Sequence, residues 1–283
     1  MDFIRSASLR ALTFLALGSN LASAATPSPS PSPSMAPSPT PSSSQSLTSE
    51  QSAAANSNGE YREIYQLFTS GEYESVLKRT SSFERMYPSS KILTSVENLH
   101  GMTYLMMKQP ALAVPLFKKA ADLSRGQPNF SQYVAYNLAT AQYEAGQFDD
   151  AEDTLNDLHP ELLDRDNRIK VHYLKARLLD KHTQPVEAAR ECLVSSRLFT
   201  AEEAHDNRAS SGSLTALLDS LMSEITDLTQ VQELYKNYDD SPIADIVLFR
   251  LASLQIKEGA RGAGMSSLKL LVDKFPLSSK VAL

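Results

Sequence analysis

The sequence predicts an all-α fold: an α-α superhelical solenoid of about six helical hairpins. Three observations carry this prediction. Small residues recur 12 positions apart, these pairs recur every 37 or 38 positions, and glycine and proline are scarce outside one short tract. The 283 residues include only 10 Gly and 15 Pro, and seven of the prolines lie between Pro27 and Pro41. At 42% hydrophobic residues the remainder can build a core. No alternating strand pattern of useful length interrupts the helical spacing.

The elements follow in chain order. Residues 1–25 read as a signal peptide. Arg5 and Arg10 flank a positive start, Ala11 to Leu17 is a short apolar stretch, and Ala22-Ser23-Ala24 fits a small-x-small cleavage site. The run falls short of the ~20 apolar residues of a membrane span. A periplasmic or secreted location is expected, and no cysteine follows the run to carry a lipid. Cleavage would change the net charge from −6 to −7, with 25 basic and 32 acidic residues left.

Residues 26–58 read as a disordered linker. Thr26 to Thr40 is TPSPSPSPSMAPSPT, and Ser, Gln, Asn and Ala continue to Asn58. Such a segment buries too little apolar area to offset its chain entropy, and its Pro-rich half favours polyproline II.

Residues 59–283 carry the repeats. Ala139 to Ala151, Gly101 to Ala113, Ala176 to Ala188 and Ala252 to Gly264 each span 12 positions. Two helices in a tight hairpin approach closely only if small side chains meet at their crossing. An earlier unit has Ile64 and Val76 at this separation, with Gly71 between them at the turn. From unit to unit, Ile64, Gly101, Ala139 and Ala176 lie 37, 38 and 37 apart. The step from Ala176 to Ala252 is 76, twice 38, so a degenerate fifth unit is expected around 205–240. Its helices are expected in SLTALLDSLMSEI and TQVQELYKNY. Tyr87-Pro88 and Phe275-Pro276 are expected to close the second helices of the first and last units.

The clearest unit is YNLATAQYEAGQFDDAEDTL, Tyr136 to Leu155. It closely resembles the tetratricopeptide repeat. Ala139 stands at the helix A contact, Gly146 at the turn and Ala151 at the helix B contact. The resemblance implies that first helices line a concave groove holding a peptide or extended partner segment. It places Tyr61, Tyr65 and Phe68 there, then Asn98, Met102, Leu105 and Met106, then Tyr133, Tyr136, Thr140 and Tyr143. Lys170, Tyr173, Arg177, Asp180 and Lys181 follow, and Phe249, Ile256 and Lys257 come last. This groove would be rich in Tyr and Met beside a basic patch, which suits protein recognition. The Lys/Asn pattern with which some relatives clamp a terminal carboxylate is not repeated.

Catalytic chemistry is not expected. His100, His159, His172, His182 and His205 form neither HExxH nor a Cys/His cluster, so surface or core roles are expected, with no metal and no cofactor. Cys192 sits on a packing position and reads as a buried inert thiol. GxSxG, P-loop and GxGxxG patterns are missing. The net charge of −6, without a basic stripe, argues against a nucleic-acid partner. The expectation is a non-catalytic protein-interaction scaffold of the cell envelope.

A second reading comes from the last repeat. SPIADIVLFRLASLQIKEG and LLVDKFPLSS resemble the helical region of penicillin-binding-protein activators. The chain would then be the N-terminal helical module of a larger envelope-assembly or peptidoglycan-synthesis regulator. Ser278-Ser279 reads as a helix N-cap, and the face of Leu268, Leu271 and Phe275 is expected to stay partly exposed, open to a partner or a second copy.

Overall fold

The computed structural model describes residues 43–199 and 210–282, in twelve α-helices and two short 3-10 turns, with no strand among the described residues. The signal-peptide segment and the Pro/Ser tract up to residue 42 lie outside them. The described chain divides into two compact units between Lys108 and Gln109, inside the turn of the second repeat.

The first unit contains α1 (Ser43–Ser70), α2 (Tyr73–Met86) and α3 (Leu93–Met106). Helix α1 begins inside the segment expected to be disordered as far as residue 58. The reason is local: Glu50, Gln51 and Ala53 to Ala55 are good helix formers that extend the first repeat helix backwards. Ser57 then anchors this extension. It is 3% exposed, its hydroxyl donates to the Ala54 carbonyl at 3.0 Å, and it accepts from the Ser90 hydroxyl at 3.2 Å. Helix α1 packs on α2, and α2 on α3. Ile64 and Val76, the unusually large pair of this repeat, are both fully buried. Arg79 of α2 reaches Glu60 at 2.9 Å and Glu63 at 2.7 Å on α1. Helix α2 stops before Tyr87-Pro88, as expected, with the Tyr87 amide donating to the Phe83 carbonyl at 2.8 Å.

The second unit runs through α4 (Pro110–Leu123), α5 (Pro128–Glu144), α6 (Phe148–Asn156), α7 (Arg165–Lys181) and α8 (Pro185–Ser196). It continues with α9 (Ser210–Glu224), α10 (Leu228–Tyr238), α11 (Ala244–Lys257) and α12 (Arg261–Lys274). Helices α4, α5 and α8 each open on a proline preceded by glutamine. Proline costs nothing there, because a first-turn N–H has no intrahelical acceptor. Helix α6 is short, and a 3-10 turn at Pro160–Leu162 fills the way to α7. Asp164 caps α7 by accepting from the Asn167 amide at 2.8 Å.

The turns repeat as closely as the helices do. Gly71, Lys108, Gly146, Thr183 and Gly259 all have positive φ, at 81°, 62°, 77°, 57° and 88°. They are spaced 37, 38, 37 and 76 residues apart. After α5 the Gly146 amide donates to the Tyr143 carbonyl at 3.0 Å and the Gln147 amide to the Gln142 carbonyl at 2.8 Å. That pair of bonds is the Schellman motif. The same pair recurs at Thr183/Gln184 and at Gly259/Ala260. The fifth repeat lacks it: α9 runs out at Glu224, and Asp227 starts α10 by accepting from the amides of Thr229 and Gln230 at 2.8 and 3.0 Å.

The core follows the predicted crossings. Ala139 and Ala151 are fully buried in a cluster with Leu155, Leu174 and Leu178. Ala176 and Ala188 lie in the largest cluster, which continues through Leu193, Leu218, Leu221, Val247 and Leu271. Gly101 and Ala113 are each buried. At Gly264 a Cβ would stand 3.0 Å from the Ala252 carbonyl oxygen and 2.4 Å from Ile256 Cγ1, so α11 and α12 touch backbone to backbone.

The end of the chain differs in one respect from expectation. Leu268 and Phe275 are half-buried as expected, but Leu271 is 1% exposed, in one core cluster with residues of α11, on which α12 packs. The Ser278 hydroxyl donates to the Asp245 carboxylate, and Lys280 Nζ reaches Asp219 at 2.7 Å. Ser278 also accepts from the Lys280 amide at 3.1 Å, opening a 3-10 turn and not an α-helix. The exposed apolar residues of this end are Met265, Leu270, Val272 and Leu277.

Candidate functional site

In the first unit the candidate groove residues separate by burial. Phe68 and Met102 are 6% and 4% exposed and belong to the packing. Asn98 is fully buried, and its amide donates to Met102 Sδ at 3.5 Å. Leu105 is buried as well, and Met106 is half-buried. Solvent reaches Tyr61 and Tyr65, one helical turn apart on α1 with ring centroids 6.5 Å apart.

In the second unit three candidates come together. Arg177 of α7 lies with its guanidinium carbon 4.4 Å from the ring centroid of Tyr143 and 5.9 Å from that of Tyr173. The guanidinium also pairs with Glu144 at 3.3 Å. A cation over aromatic faces is attracted by their quadrupoles, and this fixes three long side chains in one arrangement. Burial pushes both phenols up from their ordinary value, and the nearby Arg177 charge opposes that shift. Tyr143 is buried apart from 7% of its surface, whereas Tyr173 and Arg177 are half-buried. The patch therefore presents Arg177 and Tyr173 to solvent on a rigid floor.

Of the other candidates of this unit, Tyr136 lies near enough to Arg177 and Glu144 to feel both charges. Tyr133 packs on Phe130 with ring centroids 6.2 Å apart. Tyr136 is half-buried against the Ala139 cluster, and burial pushes its phenol up to about 12. Burial lowers the Lys170 ammonium, with Asp164 and Asp166 pulling the other way, and it donates to Asn167 Oδ1 at 3.0 Å. Lys181, Ile256 and Lys257 are exposed. Phe249 lies 5.6 Å under the Lys280 ammonium. Cys192 is fully buried, and burial pushes its thiol up to about 12, which leaves it protonated and inert.

The histidines are more paired than the sequence suggested. His172 Nδ1 lies 2.7 Å from Glu191, His182 Nδ1 3.3 Å from Glu152, and His159 Nδ1 3.2 Å from Glu161. His205 lies outside the described residues. His100 is only 7% exposed, stacked on Tyr104 at 5.4 Å, and close to Glu84 and Glu97. The cluster does not follow the HExxH pattern. The signal was Glu97-x-x-His100, two ligand types one turn apart, but the third member comes from the preceding helix. Arg250 was also overlooked: it donates to the Ser223 and Ile225 carbonyls at 3.1 and 2.9 Å and closes the end of α9.

Comparison with known proteins agrees with the repeat reading. A tetratricopeptide repeat family model matches residues 104–178, a span that contains the Tyr136 to Leu155 unit. A solved structure of Pseudomonas aeruginosa PilF is similar at 16% identity and a TM-score of 0.48, covering 81% of this chain and 96% of that one. No match was found among curated protein sequences.

Proposed function

We propose that this chain is a non-catalytic scaffold that binds a protein partner outside the cytoplasm. The observation that carries the reading is the Arg177 patch of the second unit. Tetratricopeptide repeats are protein-interaction modules, and here the first helices of two successive repeats meet at an ordered cation–aromatic cluster. Tyr173 offers rigid amphipathic area and Arg177 a guanidinium already held in place, so little side-chain entropy is lost on docking. The guanidinium favours a partner segment with a carboxylate or a backbone carbonyl to present. Tyr61 and Tyr65 offer a second, uncharged contact area.

The test compares the wild type with a Tyr173→Ala/Arg177→Ala variant in crosslinked envelope extract. Both must share one helical circular-dichroism spectrum and one Tm. A partner crosslinked by the wild type and lost from the variant supports the patch. A folded variant that retains every partner removes it. The extracytoplasmic address rests on the Arg5 to Ala24 pattern and is tested separately, by mass spectrometry of the mature N-terminus. Retention of residues 1–24 in the membrane-free protein would contradict it.

A further inference from the structure

We propose that Glu84, Glu97 and His100 form a binding site for a divalent transition-metal ion in the first unit, with Zn2+ as the fitting probe. One ligand atom from each residue lies within 4.8 Å of the others. His100 Nδ1 and Glu84 Oε1 are 3.5 Å apart. Ligand bonds of roughly 2.0–2.2 Å around a tetrahedral ion give edges of ~3.4 Å, so this pair already has the separation of two coordinating atoms. Small side-chain rotations bring in the third.

The elements that hold the ligands are rigid. Glu97 and His100 stand three residues apart on α3, hence on one face, and Glu84 comes from the last turn of α2, which packs on α3. The His100 ring is oriented by Tyr104, stacked on it at an interplanar angle of 22°. Glu97 is fully buried and the His100 side chain 9% exposed, while that of Glu84 is 28% exposed. Solvent therefore reaches the cluster along the Glu84 edge, which supplies both an entry path and room for a water as fourth ligand.

The chemistry selects the ion. Two carboxyl groups and one imidazole in a largely buried site make a donor set for a divalent cation, which binds the ionised carboxylates and the neutral imidazole and releases any protons they carry. Imidazole with carboxylates is a borderline set that suits Zn2+, Co2+, Mn2+ or Fe2+ better than the oxygen-loving Mg2+ and Ca2+. Bound there, the ion would tie α2 to α3 and stiffen the first unit, a structural role that needs no catalysis.

The experiment uses the full mature chain, freed of metal with EDTA and dialysed. Zn2+ is added while Tm is followed, and Co2+ is added while its visible d–d absorption is recorded. The expected result is a Tm that rises with Zn2+ and a Co2+ spectrum with imidazole ligation. The partly exposed Glu84→Gln should weaken both at least about tenfold while leaving the metal-free Tm close to that of the wild type. His100→Asn should abolish the Co2+ spectrum, whereas His172→Asn and His182→Asn should keep it. Absence of a Zn2+-dependent Tm shift would overturn the proposal. So would a Co2+ spectrum that survives in His100→Asn, or a response to Mg2+ equal to that with Zn2+.

Discussion

The third and fifth repeats solve the same packing problem with different means. The third, α5 and α6, crosses at Ala139 and Ala151, both fully buried, and turns through Gly146 at φ 77°. In the fifth, the position one repeat after Ala176 is Leu214, 1% exposed, and the turn is made by the Asp227 cap. This repeat buries Leu214, Leu218, Leu221 and Met222 from α9, Ile225 just after it, and Val231 and Leu234 from α10. Helix α9 packs against α8 and α11, and α10 against α11 and α8. The small-residue crossing and the left-handed turn let two helices of one repeat approach closely. Large apolar side chains gripped by the neighbouring repeats hold a pair that lacks both. The motif marks one way of stacking, and apolar burial is the common requirement.

The largest test of this comparison is Leu221→Ala. Leu221 is fully buried in the largest cluster, and its truncation should destabilise by about 2–5 kcal/mol, as transfer and cavity terms add. Chemical denaturation of the wild type and variant measures it. A loss below ~1 kcal/mol would mean that the fifth repeat is not held by its apolar side chains.

The reverse perturbation belongs to the close crossings. Gly264→Val should cost about 1–3 kcal/mol, because its Cβ would lie 3.0 Å from the Ala252 carbonyl oxygen, which belongs to the backbone and cannot rotate away. A valine at Gly262, where a Cβ meets nothing within 4 Å, should cost less than half as much and serves as the control for helix propensity.

The two turns can be set against each other directly. Gly146→Ala forces a Cβ into the left-handed region and should cost about 1–2 kcal/mol. Asp227→Ala removes an acceptor for two amides and should cost about 0.5–2 kcal/mol. Exchanging the devices, with glycine at Asp227, should not restore the fifth turn, since no residue there has positive φ.

Cys192 reports the junction of α8 with the fifth repeat through pH. Its thiol is pushed from 9.0 up to about 12 by burial, so the folded protein keeps a proton that the unfolded chain releases. That contribution is fully present below pH 9 and is lost as pH rises towards 12. By pH 10 the loss amounts to about 1.4 kcal/mol. Urea midpoints of the wild type and Cys192→Ala between pH 8 and 10 should converge by this amount. Subtraction removes the tyrosines that titrate nearby. Parallel curves would show that the thiol is not buried in solution.

Much of the repeat pattern was legible because it rests on local chemistry. The pairs Ala139/Ala151, Ala176/Ala188 and Ala252/Gly264 located crossings, Pro88 and Pro276 ended the helices, and the doubled interval located the fifth repeat, whose helices fall where its apolar spacing put them. The helix formers that extend α1 backwards were legible but lie in a Ser-rich stretch, and the anchor at Ser57 was not legible, because it depends on Ser90, 33 residues away. The groove assignments depend on which side of a first helix faces its neighbours. Periodicity gives the face and not the depth, so buried Phe68, Met102 and Tyr143 read like exposed Lys181. The meeting of Glu84 with Glu97 and His100 likewise needs α2 packed on α3.

The smallest predicted effect separates the turn device from the residue that performs it. Thr183 occupies the place that Gly71, Gly146 and Gly259 hold in other repeats, at φ 57°, although a β-branched residue is among the worst suited to that region. Its carbonyl and amide neighbours still form both bonds of the motif, with the Gln184 amide 2.9 Å from the Leu179 carbonyl. The geometry is therefore imposed by the stacking of the fourth repeat on its neighbours and not by the turn residue. Thr183→Gly should relieve the strain and stabilise the protein by about 0.5–1 kcal/mol, after the entropy that glycine adds to the unfolded chain. The expected Tm rise is roughly 1–4 °C. A fall in Tm would show that the threonine side chain makes a contact worth more than the strain, and that the fourth turn, like the fifth, has replaced the glycine with a device of its own.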